Sequence, residues 1–429
     1  MRVSSQTATP RFTPSPARAP LPPIALPPSF APAASPAALP LQAAAPPSTG
    51  FLDGMRGLAA FYVLMRHVTW MPAPAASGHA WHRILSLLEH TFRYGHTAVV
   101  FFFVLSGFVI HLRYAKQLQA DAAAATFRWG DFVFRRARRL YPPLFAAILI
   151  TSLFDRFTGS LGLTAYYTQV APGLSFLHPA ILFNHEFSTL LGNLLFLTQM
   201  HVPVWGSDNP LWSLTYEWWF YMLYPILWHA TRRSILLASG IVLGGFLLTR
   251  LGGSWPSIQD RFMPFEGWHM LLLPSRIFGA LPAWWCGVLL ADVYAGRIQI
   301  SFKKLAWLTL ILGCMFIKDL PEVLKALTAA IGFTGLIALG FHLQQRNVKF
   351  KLLNQLKFLG DFSYSLYVTH WPIVIFLTPL WASRVGTRFP GAPALGILVI
   401  ALIPLIIAYA VHLIAEAPFT RNAKPKPDR

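Results

Sequence analysis

Three stretches of this chain hold reactive residue types at spacings that a helix would bring to one face. In Phe51-Leu-Asp-Gly-Met-Arg56-Gly-Leu-Ala-Ala-Phe-Tyr-Val-Leu-Met-Arg66-His67, ten residues separate Arg56 from His67. On an α-helix that is about 16 Å of rise and about 1100° of rotation, so the two side chains face nearly the same side. The pair suits a long anionic donor: the guanidinium holds the charged end, and the imidazole, which titrates near neutral pH, moves a proton at the reactive end. In Leu211-Trp-Ser213-Leu-Thr-Tyr-Glu217, a hydroxyl and a carboxylate stand one turn apart on one face. Met by a His from another segment, Glu217 would orient that ring and stabilise its imidazolium. Arg135-Arg136-Ala-Arg138-Arg139-Leu-Tyr-Pro142-Pro143 offers guanidinium forks for phosphates, which Lys could hold only as a point charge.

Two later stretches add to these. In Phe362-Ser-Tyr364-Ser-Leu-Tyr367-Val-Thr-His370-Trp-Pro372, Tyr367 and His370 share a helical stripe, whereas Tyr364 and His370 do not. Glu416 stands just before Pro418, a helix-ending residue, and a salt bridge to a cytoplasmic Arg is expected there. Each stretch also has a plainer use. Arg56 could snorkel while His67 bonds a backbone carbonyl, the arginine cluster could only set topology, Glu217 could be a neutral core residue, and the aromatic residues could pack or anchor at an interface.

The elements that must position these residues are membrane spans. The 429 residues are 55% hydrophobic and 12% charged, about half the charge of an ordinary soluble domain. The net charge of +19 could suggest nucleic acid, but the Lys and Arg sit in short clusters between apolar runs and form no single solvated face. Clusters of that kind fit the positive-inside rule. Apolar runs of spanning length recur near 54–71, 97–113, 140–154, 211–230, 234–251, 271–294, 305–318, 322–344, 362–381 and 393–414. The expected fold is therefore all-α, a polytopic helical membrane protein with about ten transmembrane helices. The loop 114–139, Arg232 with Arg233, Arg297 to Lys304, Arg346 to Lys357 and the C-terminal tail would share the cytoplasmic face, with both termini inside. Leu190 to Leu197, within the long opposite loop 155–210, reads as a re-entrant or interfacial segment.

Residues 1–50 hold thirteen of the 35 prolines and no acidic residue, the composition of a disordered tail. They lack the compact apolar core of a signal peptide, and a transit sequence is the alternative. The transmembrane domain runs over 51–421, followed by a short tail at 422–429. Cys286 and Cys314 have no metal-ligand spacing and read as core filler, and no metal site is expected. No internal repeat stands out, which disfavours a transporter of two similar halves.

Taken together, these stretches resemble the acyltransferase 3 family, integral membrane proteins that O-acylate extracytoplasmic sugars. The matching elements are Arg56 with His67, Phe102-Phe-Val-Leu-Ser106-Gly-Phe-Val-Ile110, Arg136-x-x-Arg139 followed by Leu-Tyr-Pro142, Ser213-x-x-x-Glu217, Tyr364-Ser-Leu-Tyr367-Val-Thr-His370-Trp-Pro372 and Glu416-x-Pro418. They occur in that order over residues 51 to 421. The resemblance implies an acyl-CoA co-substrate, usually acetyl-CoA, no bound cofactor, and a polysaccharide, lipopolysaccharide or glycolipid acceptor. Some members carry a fused esterase-like domain after the last span. With Arg429 about fifteen residues beyond that span no such domain is expected here, leaving direct transfer or relay to a partner open.

The expected roles follow. Arg136 and Arg139, with Arg56, hold the phosphates of the donor at the inner face. His67 is the general base, Glu217 its orienting acid and Ser213 a supporting hydrogen-bond partner, while Tyr364, His370 and Glu416 lend further support. The rival from another class is a transporter or flippase of a lipid-linked sugar, whose pathway the same charges would line.

Overall fold

The structure, a computed structural model, describes residues 47–70, 79–170, 184–251, 272–386, 388–389 and 391–420. The tail expected over 1–50 lies outside the described residues except for its last four, and so does 422–429. Among the described residues there is no strand, only a single bridge between Thr198 and Val202. The protein is an all-α membrane protein. Among the described residues, six stretches are long and apolar enough to cross a bilayer: Arg83–Ala120, Trp129–Ser160, Arg276–Tyr294, Glu322–Gln345, Ser363–Arg384 and Ala392–Thr420.

Two further helices match spanning length but carry charge. These are α1 (Phe51–Trp70), with Arg56, Arg66 and His67, and α7 (Trp212–Arg233), with Glu217, Arg232 and Arg233. The others, in chain order, are α2 (His79–Phe92), α3 (Gly95–Ala120), α4 (Trp129–Ser160), α5 (Thr164–Val170), α6 (Phe187–Leu194), α8 (Ile235–Leu251), α9 (Leu272–Tyr294), α10 (Phe302–Ala306), α11 (Glu322–Gln345), α12 (Lys351–Gln355), α13 (Lys357–Asp361), α14 (Ser363–Arg384), α15 (Ala392–Val411) and α16 (Ala417–Thr420). Large apolar side chains such as Leu149, Leu236, Leu310 and Ile414 stay exposed, as side chains that face lipid do.

Close helix contacts use small residues. A β-carbon added at Gly107 of α3 would stand 2.1 Å from the Trp284 carbonyl oxygen of α9, and one at Gly287 of α9 would stand 1.8 Å from that of Val104. The two backbones approach at both points, the small-residue packing expected where lipid supplies no hydrophobic drive between helices. Proline is tolerated inside helices for a related reason. Pro379 cannot donate to the Ile375 carbonyl one turn back, and the buried Tyr167 hydroxyl of α5 donates to that oxygen instead.

Three local expectations are corrected. The arginine cluster is not in a loop: α3 runs on to Ala120 and α4 already starts at Trp129, so Arg135 to Arg139 lie inside a 32-residue helix that continues through Pro142 and Pro143. Residues 307–316, inside the expected span 305–318, form a 3₁₀-helical run beyond the short α10. At the C-terminal end, Pro418 does not stop the helix after Glu416. A π-helical turn at His412–Glu416 absorbs the break, and α16 follows. The segment Leu190 to Leu197 is no span: α6 covers eight residues and ends in a tight turn with Phe196 at φ 54°.

Candidate active site

Arginine side chains from two helices converge because glycines let α1 settle on α13. A β-carbon at Gly57 would lie 2.5 Å from the Gly360 nitrogen, and one at Gly360 would lie 2.1 Å from the Asp53 carbonyl oxygen. That approach lets Arg56 donate to the Gly360 carbonyl, from Nη2 at 2.8 Å and Nε at 3.2 Å, while pairing with Asp53 at 3.2 Å. Arg136 and Arg139, one turn apart on α4, line the same cavity as Arg56. The Arg136 guanidinium rests over the Phe132 and Tyr221 rings, 5.8 Å from each ring centre. Its Nε is buried with no hydrogen-bond acceptor, and so is that of Arg138. Buried guanidinium donors left open in this way are suited to an anion.

Across the cavity, α7 supplies Ser213, Glu217 and Tyr221 on one stripe. Glu217 Oε1 accepts from the Tyr221 hydroxyl and, at 3.4 Å, from Ser106 Oγ of α3, which Trp284 Nε1 contacts from α9. Ser213 Oγ donates to the Tyr367 hydroxyl at 2.7 Å, tying α7 to α14. Tyr364 lines the cavity while its hydroxyl donates to the Leu140 carbonyl of α4 at 3.0 Å. Apolar Val99, Phe102 and Phe103 complete the wall toward the N-terminal end of α3.

One turn beyond Tyr367 stands His370, its ring centre 6.1 Å from the tyrosine ring. His370 Nε2 meets His67 Nδ1 at 2.7 Å across 303 residues of sequence. His67 is half-buried and also packs on Trp371, with ring centres 4.3 Å apart. His370 is 1% exposed.

The structure thus gathers Arg56, Arg136, Arg139, Ser213, Glu217 and Tyr364 around one cavity and pairs His67 with His370 beside it. It does not bring Glu217 to His67: the carboxylate is bonded by Tyr221 and Ser106, and the ring by His370. Nor does Glu416 pair with an arginine. Its Oε2 accepts from Ser365 Oγ at 2.7 Å, from the Ser365 nitrogen at 3.3 Å and from His412 at 3.1 Å. The π-helical turn brings Glu416 inward onto the start of α14, where these donors are closer than any arginine.

Sequence reasoning gave no role to Ser106 or Tyr221. Tyr221 had a signal, since it follows Glu217 by four residues on the same helix face. The His67 to His370 contact had none, because no spacing rule links residues so far apart. Among the described residues, no group of three or more His, Cys, Asp or Glu side chains is arranged to hold a metal.

A family model described as an acyltransferase domain, that of acyltransferase 3, matches residues 49–413. The chain belongs to the acyltransferase 3 family. Nodulation protein 10 of Rhizobium leguminosarum bv. viciae is 25% identical over 271 residues, 56% of this chain and 65% of that protein, so the match spans just under two thirds of the relative. The acyltransferase MdmB of Streptomyces mycarofaciens is 24% identical over 398 residues, 86% of this chain and 91% of that protein. No solved structure matches the chain. The protein is an acyltransferase enzyme of the membrane.

Proposed function

We propose that this acyltransferase moves an acyl group, acetyl in the first instance, from acyl-CoA to a sugar hydroxyl of an extracytoplasmic polysaccharide, lipopolysaccharide or glycolipid. The observation that carries the reading is the cavity in which Arg56, Arg136 and Arg139 converge at one place and hydroxyl groups line the way toward the imidazole pair. In this reading the arginines hold the coenzyme A phosphates as charge-assisted forks. The pantetheine arm then passes Ser106, Ser213, Tyr364 and Tyr367, whose hydroxyls suit its amides. His67 removes the acceptor proton as the sugar oxygen attacks the thioester carbonyl. The tetrahedral intermediate expels the coenzyme A thiolate, which takes that proton from the imidazolium.

Glu217 in this scheme does not orient His67. It balances the arginines and, by accepting from Tyr221 and Ser106, holds α3 and α7 together at the cavity. The basic segments Arg232 with Arg233, Arg297 to Lys304 and Arg346 to Lys357 support an orientation with the donor end and both termini cytoplasmic, in the inner membrane of a bacterium.

The test is transfer of labelled acetyl from acetyl-CoA in membranes containing the wild-type protein, with the cell's own glycans as acceptor. Label should appear in a carbohydrate fraction in proportion to the protein. Labelled glycan at the level of protein-free membranes, with the enzyme correctly inserted, would refute the donor and acceptor assignment.

A further inference from the structure

The hydrogen bonds around His370 decide which nitrogen of its partner ring is basic. We propose that His370 is a positioning residue: it holds His67 in the tautomer whose Nε2 lone pair is free to take a proton. The proposal rests on the acyl-transfer reading above and deepens it.

His370 Nδ1 faces two backbone oxygens, of Leu366 and Tyr367, each at 2.9 Å. A carbonyl only accepts, so this nitrogen carries the hydrogen. The remaining nitrogen of a neutral His370, Nε2, is then a pure acceptor. It lies 2.7 Å from His67 Nδ1, which must donate.

The ring geometry agrees. The planes are only 10° apart with centres 5.0 Å apart. Rings stacked face to face would have their centres about as close as their nearest nitrogens. Here the nitrogens are far closer than the centres, so the rings meet edge to edge, with N–H and lone pair in one plane. With Nδ1 occupied by its hydrogen, His67 presents Nε2 as a lone pair.

A doubly protonated His370 would reverse this bond and place the hydrogen of His67 on Nε2, abolishing the base. Such a cation would be 1% exposed, and among the described residues no carboxylate bonds to either ring. Burying an unpaired charge is costly, so the neutral pair is the ground state. In the reaction, His67 Nε2 accepts the hydroxyl proton as the new C–O bond forms. The resulting imidazolium keeps its Nδ1–H on His370 Nε2, and it returns the Nε2 proton to the departing thiolate as the C–S bond breaks. His370 gains and loses nothing; it fixes a tautomer and steadies a transient cation with a neutral acceptor. In the familiar serine-protease arrangement a carboxylate does this, and losing the correct tautomer there costs roughly 10⁴-fold in rate.

The experiment combines nitrogen NMR of the histidine-labelled full chain in lipid nanodiscs with acetyl-transfer kinetics. The His67 signal among the 14 histidines is assigned from its disappearance in His67→Asn. Wild type should show His67 protonated on Nδ1. His370→Phe keeps the ring volume but no acceptor, so His67 should lose that preference and kcat should fall at least about tenfold, with donor KM within about twofold. His370→Gln places an amide oxygen where Nε2 stood and should recover most of both. Should His370→Phe fail to insert, the wild-type tautomer and the Gln variant still decide. Wild-type His67 protonated on Nε2, or unchanged tautomer and kcat in His370→Phe, would overturn the proposal. The expected tautomer in a protein that transfers no acetyl would instead overturn the acyl-transfer reading alone.

Discussion

Two buried ionic clusters of this enzyme are built from similar side chains to different ends. In the first, His111 of α3 bonds the Tyr224 hydroxyl through Nδ1 at 2.8 Å and Asp292 Oδ1 through Nε2 at 3.0 Å. Arg297 reaches the same carboxylate oxygen at 2.6 Å and donates to the Thr231 carbonyl at 2.9 Å. Every ring nitrogen is used, and only Asp292 Oδ2 is left over. In the second, at the cavity, Arg136 keeps a buried donor without an acceptor, and Arg56, Arg136 and Arg139 share the lining with one carboxylate, that of Glu217. The first network, with every ring nitrogen used and one carboxylate oxygen to spare, ties α3, α7 and α9 together. The second is destabilising on its own and makes sense as half of a complex.

The largest effect should fall on the imidazole beside the cavity. His67→Ala removes the proton acceptor, so transfer at saturating substrates should drop by about 10² to 10⁴-fold with insertion and yield unchanged. His67→Asn should not rescue, since an amide hydrogen-bonds without accepting the proton. Near-normal turnover by the Ala variant, measured per inserted protein, would return His67 to a structural role.

The Asp292 cluster should respond in stability instead of turnover. Asp292→Asn removes the fully buried counter-charge of Arg297, whose own side chain is 12% exposed, and breaking such a pair costs up to about 3 to 5 kcal/mol. Thermal unfolding in detergent should shift down by several degrees, while kcat per folded molecule stays within about twofold of wild type. A large loss of kcat at normal stability would erase the contrast between the two clusters.

The third effect tests what the open donors are for. Arg136→Lys with Arg139→Lys keeps charge and removes the forks, so donor KM should rise roughly tenfold while acceptor KM changes little. Equal donor saturation curves for wild type and variant would mean that the phosphates are held elsewhere.

Much of this could be read in the chain beforehand, and the failures have physical causes. The pairs Ser213 with Glu217 and Tyr367 with His370 lay on helices as their spacing implied, because residues three or four apart on a helix must share a face. The arginine cluster reads as part of a loop because Lys and Arg clusters usually flank spans. In the protein, α4 continues through both prolines as one helix from Trp129 to Ser160. Pairings between distant segments, such as His67 with His370 or Glu217 with Ser106, are set by how α1, α3, α7 and α14 pack, and no local pattern encodes them.

The smallest effect is the one that separates two roles for Glu217. Were it the acid that orients His67, Glu217→Gln would lower kcat by far more than tenfold, since the base would lose its partner. The contacts argue otherwise, because the carboxylate faces Tyr221, Ser106 and the arginines, and the imidazole is held by His370. A glutamine oxygen still accepts from Tyr221 and Ser106, so the helix contacts survive the change. What disappears is one negative charge in a cavity that would receive phosphates. Removing a like charge from an anion site strengthens binding, so donor KM should fall about two- to fivefold, with the effect fading as salt is raised. Steady-state kinetics at low and high ionic strength measure both quantities. A rise in donor KM, or a kcat loss beyond about tenfold, would show that the carboxylate takes part in the proton transfer and that the cavity is closer to the base than its wall of Tyr367 implies.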